Sequence, residues 1–149
     1  MKKLLTIASL FLFSIVVAQK PYWQQQVDFK INVSLNDVKH TLDGFETILY
    51  KNNSADTLKF IWIHLWPNAF KNDKTAFSEQ MVDRLDDATF YFSDNEDRGY
   101  INKLDFKVDS QVAILEDHPQ YIDIAKLVLP KPLLPGQSIN ISTPFHVKI

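Results

Sequence analysis

Val27-Asp28-Phe29-Lys30-Ile31-Asn32-Val33-Ser34-Leu35 decides the fold class. Every odd position is apolar and every even position polar. A side-chain period of two is that of a β-strand with one face turned to a core and the other to water. A helix would scatter the same residues around its circumference. Asn36-Asp37 then supplies turn chemistry. Thr41 to Lys51 resumes the alternation, with Leu42, Gly44, Ile48 and Tyr50 in phase. Together the two runs predict a half-buried β-hairpin. Gly44 inside the second strand signals a bulge or a close approach of another part of the chain.

Further along, Asn52-Asn53-Ser54-Ala55-Asp56 reads as a turn. Leu58 to Trp66 is apolar at nearly every position and predicts a strand buried on both faces. Within it Phe60, Trp62 and Trp66 share one face and read as core, and His64, flanked by Ile63 and Leu65, reads as a hydrogen-bonded core residue. Pro67-Asn68 ends the run. Phe77, Met81 and Leu85 are spaced by four and predict a short helix capped by Ser78. Asp86 to Asp97 reads as a solvated acidic loop around Phe90-Tyr91-Phe92.

Strands return at Tyr100, through Ile101, Leu104, Phe106 and Val108 to a turn at Asp109-Ser110, then Val112 and Ile114. Tyr121 to Leu129 forms another strand. Pro130, Pro132 and Pro135-Gly136 make a rigid bend. Ser138 to Ile149 is the last strand, with Pro144 confining part of it to an edge or a bulge. The expected fold is all-β: a saddle-like, mostly antiparallel sandwich or curved sheet of about seven or eight strands, with at most one short helix. Alternation in the last strand persists to Ile149. That predicts a domain incomplete at its C-terminal end, with an edge there open to self-association.

Residues 1–18 carry Lys2-Lys3, an apolar run from Leu4 to Val17, and Val16-Val17-Ala18. This pattern predicts an export signal, leaving residues 19–149 as one domain placed in the periplasm or outside the cell. The apolar run is too short to span a bilayer. Eleven Phe, five Tyr and three Trp supply core material, which argues against disorder. The formal charge is −2, and removal of Lys2 and Lys3 makes it more negative. No basic block remains for nucleic acid or an anionic membrane surface. There is no cysteine. Disulfides, thiolate catalysis, Cys-ligated zinc and a lipid-bearing cysteine are therefore excluded.

Chemistry-bearing patterns are sparse. His40, His64, His118 and His146 have no partner at the spacing that places two ligands on one helix face. His40 reads as solvated in a hairpin turn, His118 as a loop residue before Pro119, and His146 as facing away from the apolar side of the last strand with Lys148. Asp94-Asn95-Glu96-Asp97-Arg98-Gly99 starts like a calcium loop, yet its twelfth position is Asp105 rather than Glu. No Ser lies in a G-x-S-x-G elbow, and Gly44, Gly99 and Gly136 form no phosphate-cradling loop. Asn32, Asn52 and Asn140 begin Asn-x-Ser triplets, which matter only in a glycosylating host. No residue is singled out as catalytic, cofactor-binding or metal-binding.

Several elements together resemble a known family. They are Tyr22-Trp23-Gln24-Gln25 before the first strand, Leu42-Asp43-Gly44, Ile48 to Ser54, and His64-Leu65-Trp66-Pro67-Asn68-Ala69-Phe70 with Thr75-Ala76-Phe77. Asp97-Arg98-Gly99-Tyr100-Ile101, Ile122-Asp123-Ile124-Ala125 and Pro132-Leu133-Leu134-Pro135-Gly136-Gln137, closing on Phe145-His146-Val147, complete the set. This looks like the N-terminal β domain of the zinc aminopeptidases that include aminopeptidase N, peptidase family M1, in an exported bacterial branch.

The resemblance implies a domain that packs on a thermolysin-like catalytic domain and helps wall its substrate cavity. It also implies zinc in that other domain, held by H-E-x-x-H and a further Glu, and peptide substrates reached only through the parent. None of those motifs occurs here, so no catalytic or metal residue is carried over. The alternative reading is a self-sufficient exported β-sandwich that binds a glycan or a protein through exposed aromatics, with Trp23, Tyr22 and Tyr91 as its members.

Overall fold

The computed structural model describes residues 22–149. The export signal expected at residues 1–18 lies outside the described residues. Among them are nine strands: β1 (Gln26–Asn36), β2 (Thr41–Lys51), β3 (Leu58–His64), β4 (Tyr100–Asn102), β5 (Lys107–Val108), β6 (Gln111–Val112), β7 (Ile114–Asp117), β8 (Ile124–Leu133) and β9 (Ser138–Lys148). One α-helix, α1 (Ala76–Leu85), lies between β3 and β4. The strands form two antiparallel sheets. The larger runs β1-β2-β9-β5-β6, with β4 also on β9; the smaller runs β3-β8-β7. The fold is all-β, as expected, and the higher strand count comes from short pieces such as β5 and β6.

The hairpin β1–β2 pairs in continuous register from Gln26↔Lys51 to Asn36↔Thr41. β2 then pairs with β9 from Thr41↔Lys148 to Lys51↔Ser138. The last strand is therefore central, which corrects the expectation of an open edge there. Its other side carries β5 at Ile141 and Ser142 and β4 at His146 to Lys148. Pro144 falls in the gap between these two short partners, where its missing N–H breaks no ladder.

Between the sheets the core joins Ile48, Ile139 and Ile141 of the larger sheet to Leu127 and Leu129 of the smaller. Phe106 and Val108 close one end. The chain crosses from one sheet to the other at Ala113, which is buried and whose N–H donates to the Phe106 carbonyl. Asp109 and Ser110, the two-residue loop between β5 and β6, both have positive φ, 47° and 68°. Both central residues of a type I′ hairpin turn require that conformation.

Four local expectations are corrected. β3 is not buried on both faces: Ile61 and Ile63 turn inward while Phe60, Trp62 and His64 are exposed. It pairs with β8 on only one side, and among the described residues Phe60, Trp62 and His64 on its other face are exposed. α1 is capped by Thr75 rather than Ser78. The Thr75 side chain accepts from the Ser78 N–H at 3.2 Å, and Ser78 Oγ is buried without a partner. The strand expected to end at Leu129 runs on to Leu133 as β8. Its prolines lie in a bulge between the pairs Leu58↔Leu133 and Phe60↔Val128, where a residue without an N–H is tolerated. Finally, β1 is not half-buried, as follows.

Candidate interaction surface

The apolar residues of β1 continue rows that start in the core. Read across β9, β2 and β1, these rows are Ile139–Tyr50–Val27, Ile141–Ile48–Phe29, Thr143–Glu46–Ile31, Phe145–Gly44–Val33 and Val147–Leu42–Leu35. The smaller sheet covers the β9 and β2 ends of the first two rows, leaving Ile48, Ile139 and Ile141 under 9% exposed. It does not extend over β1. Val27, Phe29, Ile31, Val33 and Leu35 are 37%, 62%, 52%, 56% and 62% exposed. Alternation was read correctly, but the face it defines has no covering layer in these residues. A contiguous apolar strand face of this kind marks an interaction surface.

Where the sheets diverge, a cleft of about 360 Å³ opens between Phe29 and Ile48 on one wall and Ile63, His64 and Trp66 on the other. Glu46 also lines it. Its carboxyl is half-buried, and burial pushes its pKa above the ordinary value. The same cause raises the Tyr50 hydroxyl. Glu46 went unnoticed in the sequence, yet the signal was there. It is the charged residue at an in-phase position between Gly44 and Ile48.

A second exposed region is the outer face of the smaller sheet. Trp62 on this face, and Trp66 in the turn after β3 on the cleft wall, were expected in the core but are 48% and 67% exposed. Trp62 lies 5.7 Å from Phe60 and 5.4 Å from His118 between ring centroids, and His118 stacks on Tyr121. His64 stacks on Trp66 at 4.9 Å, which replaces the expected buried hydrogen bond. The Lys126 ammonium crosses this face, paired with Glu116 at 2.9 Å and lying over the Phe60 ring.

The remaining candidates do not converge. The four histidines are spread over the hairpin turn, β3, the loop before β8, and β9. His40 is exposed with φ 52°. His118 Nδ1 accepts from the Gln120 and Tyr121 N–H groups. His146 donates from Nδ1 to Asp43 Oδ1 at 2.8 Å, and this hydrogen bond is the main reason the Asp43 carboxyl is held below its ordinary value. Among the described residues no group of three or more His, Asp or Glu side chains gathers closely enough to hold a metal ion. Tyr22, Trp23 and Tyr91 are exposed. Tyr91 packs on Phe92, and no aromatic contact joins it to the other two among the described residues.

The residues that carry the family resemblance hold the fold together. Asn52 is wholly buried. Its Nδ2 donates to the carbonyls of Asp56 and Leu133, and its Oδ1 accepts from Ser54 Oγ and Gln25 Nε2. Its backbone bonds to Gln137 and Gly136, so one asparagine ties the lead segment, its own turn and the Pro135-Gly136 turn together. Being buried, it is no acceptor for a glycan. Asn68 does similar work: it donates to the Ile122 carbonyl and accepts from the Ile101 N–H.

No family model matches the sequence, and no curated protein matches it. Solved structures of M1 zinc metallopeptidases are similar in fold. A point mutant of a two-domain M1 zinc metallopeptidase bound to L-arginine aligns with a TM-score of 0.48 at 11% identity, over 82% of this chain and 20% of that one. The M1 zinc metallopeptidase from Deinococcus radiodurans aligns with a TM-score of 0.47 at 12% identity, over 82% and 20%. A two-domain mutant bound to L-tryptophan gives 0.46 and 12%, over 83% and 21%. The chain thus spans about a fifth of the length of the structures it resembles.

No described helix is long and apolar enough to cross a membrane.

Proposed function

We propose that this chain is the non-catalytic N-terminal domain of an exported zinc aminopeptidase, packed on the catalytic domain and shaping access to its substrate cavity. The parent would remove N-terminal residues from peptides. The observation that carries the reading is the uncovered face of β1. It continues the core rows of β2 and β9 and presents five apolar side chains to water. Covering the exposed half of each would contribute about 1 kcal/mol per residue, on the order of 5 kcal/mol in all. The reading also follows the resemblance carried by Asn52, Asn68 and Pro135-Gly136, residues that tie the fold together.

The described residues do not fit zinc, so no step of hydrolysis is assigned to them. The test is the reading frame beyond Ile149, together with the purified chain's activity. An open frame encoding H-E-x-x-H, and no turnover of amino-acid arylamides with or without zinc, are the expected results. An immediate stop codon, or arylamide turnover by the chain alone, would overturn the proposal.

A further inference from the structure

Glu46 breaks the pattern of its own face. Its neighbours across the ladder are Ile31 and Thr143, and the flanking rows are Phe29–Ile48–Ile141 and Val33–Gly44–Phe145. Its carboxylate makes no hydrogen bond or ion pair to a side chain or backbone group among the described residues. The Thr143 hydroxyl beside it is already engaged, accepting from the Asp105 N–H and donating to the Pro144 carbonyl. His64 is the one basic residue on the cleft wall, and its ring stacks on Trp66 without a hydrogen bond to Glu46; no lysine or arginine lines the cleft. An apolar occupant laid over this place would seal a carboxylate away from water with no lysine or arginine to pair it, which is costly. A second copy of the chain, face to face, would bring no cation either. The fifteen ladder positions that make up these rows contain no Lys, Arg or His.

We infer that the cleft beside β1 receives a cationic side chain, arginine or lysine, from a polypeptide segment laid along this face, with Glu46 as its counter-ion. Apolar neighbours of that cation pack against Phe29 and Trp66. Arginine suits the place better, because its guanidinium is weakly hydrated, stacks on aromatic rings and grips a carboxylate with two N–H groups. The inference builds on the docking reading above and specifies what the partner must present.

The probe is a blocked tripeptide, acetyl-Leu-Arg-Leu-amide, compared with the same peptide carrying citrulline, which keeps the shape and removes the charge. Backbone amide shifts of Ile31, Glu46 and Thr143 and the indole signal of Trp66 report binding. Saturable shifts with the arginine peptide, with affinity about tenfold above that of the citrulline peptide, are expected. Glu46→Gln should abolish that preference, and a thermal melt no lower than that of the parent shows that the variant folds. Equal binding of the two peptides, no shifts at these residues, or a preference that survives Glu46→Gln would overturn the inference. A charge preference in a protein lacking a downstream H-E-x-x-H would leave the cation site standing and sink only the domain proposal. Absence of the preference beside an intact H-E-x-x-H would do the reverse.

Discussion

The ring of Phe145 lies across Gly44: a Cβ built at Gly44 would stand 2.3 Å from Phe145 Cζ and 2.8 Å from the Asn32 carbonyl oxygen. The ring could swing aside, but the Asn32 oxygen belongs to the backbone of β1 and is fixed by the ladder. Gly44→Ala should therefore destabilise the chain by about 1–3 kcal/mol through local displacement of β1. Urea unfolding checks it, and an unchanged midpoint would show that the sheet yields easily there.

Asn52→Ala should cost more than an ordinary polar substitution. It removes the buried amide that donates to the Leu133 and Asp56 carbonyls, takes one of the partners of Ser54 Oγ and unties the segment held through Gln25. A loss of about 2–3 kcal/mol is expected. Faster amide exchange at Asn53, Ser54 and Gly136 should accompany it.

Acid stability tests Asp43. Its folded-state pKa lies below the ordinary 3.8, chiefly through the His146 hydrogen bond and with help from Lys103. A depressed carboxyl contributes stability above its unfolded value and loses it as pH falls through the folded one. The parent should thus lose stability below pH 3.8 more steeply than Asp43→Asn. Parallel pH profiles of the two proteins would remove the effect.

Glu46 behaves in the opposite sense. Burial raises its pKa above the ordinary 4.5, so its protonated form is favoured in the folded state. Its contribution is fully present below pH 4.5 and lost as pH rises through the folded value. Glu46→Gln should consequently be at least as stable as the parent at neutral pH, with the difference vanishing in acid. A variant less stable at neutral pH would refute this sign.

Self-association should follow the β1 face. Replacing Phe29 and Val33 by Thr keeps β propensity and removes apolar surface that the chain leaves exposed. Sedimentation velocity should find the double variant more nearly monomeric at high concentration than the parent. Its folding stability should change by no more than about 1 kcal/mol per site. Equal association would place the sticky surface elsewhere.

The strands and their phase were legible because period-two patterns report which side chains share a face. Val27 to Leu35 and Ser138 to Ile149 say this directly. What covers a face is a different matter, since it depends on the order of strands in the sheets. That order puts β9 in the middle and β1 at the rim. Leu58 to Trp66 misled for a related reason. Its rings Phe60 and Trp62 on the outer face and Trp66 at the cleft are as apolar as a core yet exposed to solvent. Ser78 looked like the helix cap because it is a capping residue type at the start of the Phe77–Leu85 pattern, but Thr75 stands one turn earlier with the extended backbone a cap requires. Glu46 was legible only as an exception within a run, and the alternation around it drew attention away.

Pairing β2 with β9 joins segments at opposite ends of the domain: Thr41 meets Lys148 and Lys51 meets Ser138. The hairpin made early in synthesis must wait for β9, far along the chain, before its inner edge is satisfied. Contacts so distant in sequence slow folding and prolong the lifetime of species with open strands. Between emergence of Lys51 and arrival of Ser138 the inner side of β2 is an open strand edge, the form in which a nascent chain is most prone to aggregate.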